Sequence, residues 1–134
     1  MKEVAKIVIY DKEKFLLQLR DNKPSINYPD TWSFFGGEVD RGEKHDVALI
    51  RELKEELFWT PNSLNFLTEL LDRKTNCRIF FFISKFEGKK NQLRLGEGQE
   101  MRWFTFHEIL SLSDHGFKVG HNVIQVLNIA KSKI

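Results

Sequence analysis

The chain has 134 residues, 41% hydrophobic and 13% aromatic, which suffices for one folded domain with a real core and excludes a disordered polypeptide. Its formal net charge of +2 gives no bulk electrostatic case for binding nucleic acid or a membrane surface. A single cysteine, Cys77, excludes an internal disulfide and a cysteine-based zinc site.

Val4 to Tyr10 (VAKIVIY) is rich in β-branched residues and predicts a strand. The run is too short for a signal peptide, and no other segment reaches membrane-spanning length, so a cytoplasmic location is expected. A polar turn, Asp11 to Lys14, leads to a second strand, Phe15 to Arg20, and the two are predicted to form a hairpin. The loop Asp21 to Thr31 holds Pro24 and Pro29. Trp32 to Phe35 predicts one short buried strand that delivers the chain to Gly36-Gly37, where the backbone can turn sharply and approach a ligand closely.

A long helix is predicted to begin near Glu43 to Asp46, with acids in its first turn suited to the dipole, and to stop by Thr60 because Pro61 follows. Leu64 to Leu71 and Ile79 to Phe86 predict two strands joined by a turn at Asp72 to Asn76, and the almost continuous apolar run Ile79 to Ile83 belongs in the sheet interior. After a polar turn at Glu87 to Gln92, Leu93 to Leu95 reads as a short extended piece before the loop Gly96 to Glu100. Met101 to Phe106 predicts a strand, His107 starts a short helix, and Val119 to Ala130 places apolar residues at helical spacing for a final packing helix. His45, His107, His115 and His121 form no ligand pattern and read as surface or loop residues. This order of elements predicts an α/β fold, a mixed sheet with helices packed on it.

The long helix carries the chemistry. At about 100° per residue with Glu52 at zero, Glu55 falls at about 300° and Glu56 at about 40°, so three carboxylates share one face. Val47, Ile50, Leu53, Leu57 and Phe58 fall at about 100° to 240°, which makes the opposite face apolar. Three carboxylates this close repel one another unless a cation sits among them, and clustered hard oxygen ligands suit Mg²⁺ or Mn²⁺. On its own such a helix reads more plainly as a solvated charged face. Here, however, Gly36-Gly37, Glu43 and Arg51 precede the cluster at fixed separations.

With those residues included, Gly37 to Trp59 resembles the Nudix box, G-x5-E-x7-R-E-U-x-E-E-x-G-U with U a bulky apolar residue. Gly37 is the first glycine, Glu43 the isolated acid, Arg51-Glu52-Leu53 the REU, Glu55-Glu56 the paired acid and Trp59 the last U. Phe58 departs from the pattern, standing where the family has glycine. A left-handed cap there would cost a non-glycine residue roughly 1 kcal/mol, so the helix is expected to run on to Trp59 and end at Thr60-Pro61.

The resemblance implies a Nudix-type α/β/α sandwich with a mixed, partly antiparallel sheet, as a single domain over 1–134. It implies a metal-dependent hydrolase that cleaves a diphosphate bond in a nucleoside diphosphate linked to another moiety, with Mg²⁺ as cofactor and Mn²⁺ as its substitute. The implied metal ligands are Glu52, Glu55, Glu56 and the Gly36 carbonyl, with Glu52 favoured as base and Glu43–Arg51 as an orienting pair. An extra carboxylate is implied from the loop after residue 95, Glu97 or Glu100, with Glu97 ahead because glycines flank it; a solvated loop acid is the other reading. Arg20 is either a solvated strand end or a phosphate or base contact. Two other readings stand beside this one. A non-catalytic nucleotide-binding or regulatory module would normally have lost box acids, and all are present. An isopentenyl diphosphate isomerase needs a well-placed cysteine, whereas Cys77 lies in an apolar strand. The expected partner is a small nucleoside diphosphate derivative, with no membrane or nucleic-acid partner, and a homodimer is left open. Nucleoside triphosphates, nucleotide sugars, ADP-ribose and capped RNA are all open as substrates.

Overall fold

Strand β1 (Lys2–Asp11) runs through the middle of the structure and contacts three neighbours. The computed structural model describes all 134 residues, Met1–Ile134. β1 and β2 (Lys14–Leu19) form the expected hairpin, with Tyr10 opposite Phe15 and Asp11 opposite Lys14. Beyond the turn they part. β1 pairs antiparallel with β4 (Phe35–Glu38) and parallel with β6 (Cys77–Lys85), while β2 pairs antiparallel with β3 (Thr31–Ser33) and β7 (Glu100–Thr105). β5 (Asn65–Asp72) lies antiparallel beside β6, and the two-residue β8 (Lys118–Val119) lies parallel to β3.

Side-chain alternation along these strands builds two cores, one on each face. Ala5, Ile7 and Ile9 of β1, with Leu16, Phe35 and Phe82, pack against Leu49, Leu53 and Leu57 of helix α1 (His45–Leu57). Val8, with Phe15, Leu17, Phe34, Phe81 and Ile83, faces the other way, where α2 (Phe106–Asp114) and α3 (Val123–Lys131) cover it through Ile109, Val126 and Leu127. Each fully buried leucine on α1 contributes about 1.5–3 kcal/mol over an exposed one, so burial rather than propensity holds this helix. The result is the α/β/α sandwich with a mixed sheet that the sequence led us to expect. No helix is long and apolar enough to cross a membrane.

Several expectations are corrected. Trp32 to Phe35 is not one strand: β3 and β4 are separated at Phe34 because the chain passes from β2 as partner to β1. Leu93 to Leu95 is irregular, following a 3-10 turn at Lys90–Gln92; Leu93 buries itself in the α1-side core while the backbone serves another purpose described below. Val119 belongs to β8, and the last helix starts only at Val123.

Helix α1 departs most. It ends at Leu57, and Phe58 takes the left-handed conformation (φ 56°, ψ 38°) instead of continuing to Trp59. The expected steric cost is therefore present, and the Phe58 N–H closes the end onto the Lys54 carbonyl at 3.2 Å. The buried arc is also rotated from the expected one. Val47 and Phe58 are exposed, whereas Ala48, Leu49, Leu53, Leu57 and, with them, Glu56 are buried. The acidic and apolar faces overlap at Glu56 instead of opposing each other.

Candidate active site

A cleft of about 410 Å³ lies between α1, the glycine pair and the loop after residue 95. Six carboxylates line it, among them Glu52 and Glu56 from α1 and Glu97 from the loop. Phe35 faces the α1-side core, and by alternation Gly37 faces the same helix. A Cβ on Gly37 would stand 2.4 Å from the Glu52 carboxyl carbon, so the absence of a side chain there gives Glu52 its place. Gly36 is required for a different reason. Its φ is +146°, and a Cβ would stand 2.1 Å from the Ala5 carbonyl oxygen of the paired strand.

The Gly36 N–H donates to Glu56 Oε1 at 3.2 Å. Glu56 is only 4% exposed and forms no ion pair within 4 Å. Burial, then the nearby charges of Glu52 and Glu97, push its carboxyl up to about 8, against the weaker pull of the Gly36 N–H and Lys6. Glu52 is pushed upward too, chiefly by burial, although Arg51 donates to it. The site thus holds more negative charge than its own groups neutralise. No three acid, histidine or cysteine side chains stand close enough to enclose an ion as they are.

Arg51 organises the entrance side. Its Nε and Nη2 each donate to the Glu43 carboxylate at 3.0 Å, its Nη1 donates to Glu52 at 3.0 Å, and Nη2 also reaches the Glu38 carbonyl at 3.2 Å. This bidentate fork, with the Asp40 N–H, holds the Glu43 carboxyl below the usual carboxylate range. The expected Glu43–Arg51 pair is there, and through Arg51 it also fixes Glu52. Glu55 stands apart: its side chain is 63% exposed, 3.9 Å from Arg51, and does not line the cleft.

The end of α1 explains how Glu97 arrives. The Arg94 N–H donates to the Leu57 carbonyl at 3.2 Å and the Gly96 N–H to the Glu56 carbonyl at 2.7 Å, so the irregular segment caps the helix's last carbonyls. Gln99 then ties the loop to the far wall, donating from its backbone to the Leu19 carbonyl at 2.8 Å and from its side chain to the Arg20 carbonyl at 2.8 Å. Glu100 instead starts β7 and pairs with Arg102. Arg20 lines the cleft with its Nε donating to the Asn27 carbonyl at 3.0 Å.

Other lining residues were not singled out from the sequence: Gln18, Asp21, Lys23, Glu38 and Asp40. Glu38 follows directly on the glycine pair and Asp40 two residues later, and that closeness was the available signal. Lys6 was also missed, although a lysine inside the apolar run VAKIVI is a visible break in the strand's pattern. Its amine donates to Ser33 Oγ at 3.0 Å, and burial, with Arg20 nearby, lowers it to about 8.

A mixed sheet between helical layers, with a glycine edge strand facing an acidic helix, defines the class of protein. The NUDIX domain model matches residues 2–123, and the chain belongs to this family. Its fold is similar to that of a C. elegans Ap4A hydrolase in a binary complex (22% identity, TM-score 0.74, covering 99% of this chain and 97% of that one). It is likewise similar to a MutT NUDIX hydrolase from Burkholderia pseudomallei (20%, 0.73, 95% of each chain). A third similar structure is the NUDIX domain of Shewanella oneidensis NrtR complexed with ADP ribose (15%, 0.78, 98% and 86%). No curated protein sequence is similar enough to the chain to count as a relative.

Proposed function

We propose that this chain is a divalent-metal-dependent hydrolase that cleaves a diphosphate bond in a nucleoside diphosphate linked to a further group. The observation that carries the reading is the buried, unpaired Glu56 carboxylate facing a cleft with Glu52 and Glu97. An anionic substrate cannot bind such a site unaided, whereas a hard divalent cation suits its all-oxygen donors. Glu52, Glu56, Glu97 and the Gly36 carbonyl would hold it, with Glu55 joining by a side-chain rotation from the rim. Mg²⁺, with Mn²⁺ as substitute, would neutralise the phosphate oxygens and the charge developing on the leaving group.

The chain's own residues supply the rest. Glu52, raised toward neutrality by burial, accepts the proton of the attacking water. Arg51 keeps that carboxylate aimed while Glu43 keeps Arg51 in place. Arg20, on the opposite wall, contacts a phosphate oxygen or the base. The partner is a small molecule; the +2 net charge offers no tract for nucleic acid. Nucleoside triphosphates, nucleotide sugars and ADP-ribose form the test panel.

That panel, run in Mg²⁺ and in Mn²⁺ with products resolved, is the test. Hydrolysis of at least one diphosphate, stopped by chelation and cut by orders of magnitude in Glu56→Gln and Glu52→Gln, supports the reading. Nucleotide binding without turnover in either metal overturns it in favour of a non-catalytic module.

A further inference from the structure

Besides α1 and the glycine pair, two loops line the cleft: residues 21–30 through Asp21, Lys23 and Ile26, and residues 96–99 through Glu97 and Gly98. They meet at Gln99. Its backbone N–H donates to the Leu19 carbonyl at 2.8 Å. Its side-chain amide donates to the Arg20 carbonyl at 2.8 Å and to Asp30 Oδ1 at 2.9 Å. A glutamine amide has two N–H groups, and on an exposed residue they ordinarily go to water. Gln99 is exposed, yet it spends both on acceptors far back in the chain.

Each end of this bridge is held. On the Glu97 side, Gly98 has a φ of +96° and presses against the end of β2, where a Cβ would stand 2.9 Å from Gln18 Oε1 and 3.1 Å from the Leu19 carbonyl oxygen. Glu97 therefore has little freedom to move apart from Gln99. On the other side, Asp30 has a left-handed backbone (φ 56°), as does Tyr28 (φ 52°), with Pro29 between them. An aspartate commonly settles that conformation by bonding its own nearby backbone. Asp30 Oδ1 accepts from Gln99 instead, while the Asp30 N–H closes the loop onto the Asp21 carbonyl at 3.1 Å. Two side-chain hydrogen bonds tie residues 21–30 to the chain outside residues 20–31: this one, and the Tyr28 hydroxyl to Asp72.

We propose that Gln99 is a positioning residue that couples the two loops, so that fixing Glu97 in place also fixes the wall formed by residues 21–30. The proposal rests on Glu97 helping to hold the cation of the reading above. Gln99 does not itself line the cleft and acts through Arg20 and Asp30. A substrate then meets a wall already set by the acidic side, and each of the two binding events strengthens the other by the same factor.

The test is hydrogen exchange of the full chain, read on residues 20–31 with and without Mg²⁺ and with no nucleotide present, so that turnover plays no part. In wild type, Mg²⁺ should slow exchange of this segment about 5–10-fold. Gln99→Met keeps the length of the side chain and removes both donors. Mg²⁺ should then leave the segment unprotected, and Mg²⁺ affinity should fall about tenfold. Gln99→Lys keeps N–H donors within reach of both acceptors and should retain most of the protection. A packing role predicts the reverse order, because methionine replaces the glutamine stem better than lysine does. α1 and residues 35–38 are the internal control, protected by Mg²⁺ in all three proteins, and thermal melting checks that each variant is folded. Equal protection of residues 20–31 in wild type and Gln99→Met, or a loss in Gln99→Lys as large as in Gln99→Met, overturns the proposal and leaves the hydrolase reading standing. No protection by Mg²⁺ anywhere in wild type sinks both.

Discussion

The backbone N–H of Gly96 donates to the Glu56 carbonyl at 2.7 Å, so the loop that carries Glu97 is fastened to the residue whose carboxylate it faces. A Cβ on Gly96 would stand 2.3 Å from the Glu55 carbonyl oxygen, which makes that fastening specific to glycine. We expect Gly96→Ala to push the loop off the helix end, exposing carbonyls and displacing Glu97. Both melting temperature and Mg²⁺ affinity should fall. Glu97→Gln should lower the affinity alone, measured by titrating metal into the substrate-free protein.

The two glycines of the Gly36-Gly37 pair should fail in opposite ways. Gly37→Ala meets only the end of the Glu52 side chain, which can swing away; activity should drop at least tenfold with little change in melting temperature. Gly36→Ala meets the Ala5 backbone from a positive φ, so the protein should lose stability or fail to fold. Thermal denaturation of the two variants side by side checks this contrast. Equal melting temperatures would refute it.

Phe58 occupies a left-handed position and is 62% exposed. Phe58→Gly should therefore stabilise the fold by about 0.5–1 kcal/mol, since the relief of strain exceeds the extra entropy of glycine in the unfolded chain. The expected rise in melting temperature is roughly 2–5 °C, at unchanged turnover.

A buried carboxylate without a cation is a burden on the fold, and Glu56 is one. In metal-free protein at neutral pH, Glu56→Gln should raise the melting temperature while abolishing hydrolysis. Added Mg²⁺ or Mn²⁺ should stabilise wild type by mass action and leave the variant unmoved. Scanning calorimetry with and without chelator measures both effects.

Asp72 gives the pH signature. Burial raises its carboxyl, but bonds from Tyr28, Thr75 and the Lys74 N–H prevail and bring it below its usual range. A folded value below the unfolded one adds stability that is complete above about pH 5 and is lost as pH falls through the folded value. Asp72→Asn should therefore cost about 1–3 kcal/mol at pH 7, with the gap to wild type closing on acidification in denaturant titrations.

The helix and its acids were legible because the box lies in one continuous stretch, where spacing alone puts charges on a face. Which part of that face is buried was not: periodicity gave an arc containing Val47 and Phe58, whereas contact with β1 and β4 chose one containing Glu56. The left-handed Phe58 was judged by local cost, and the capping bonds from Arg94 and Gly96, donated from beyond residue 90, outweigh it. Trp32 to Phe35 looked like one strand because hydrophobicity does not reveal a change of partner. A second cavity, of about 180 Å³ beside the Gly36–Glu38 strand, was illegible for a related reason. Lys6, Tyr28, Asp72 and Asn122 share no motif, and only the folding of strands and loops from distant parts of the chain joins them.

The parallel register of β1 against β6, Val4 beside Ile79 and Lys6 beside Phe81, also governs how the protein is made. β2 and β4 reach β1 early in synthesis, but the edge that pairs with β6 must wait for a partner some seventy residues downstream. Such a long-range closure is slow, and an open apolar strand edge is prone to aggregate meanwhile. The emerging chain should lean on chaperones until β6 is synthesised, and a stall between the box helix and β6 should yield insoluble nascent protein.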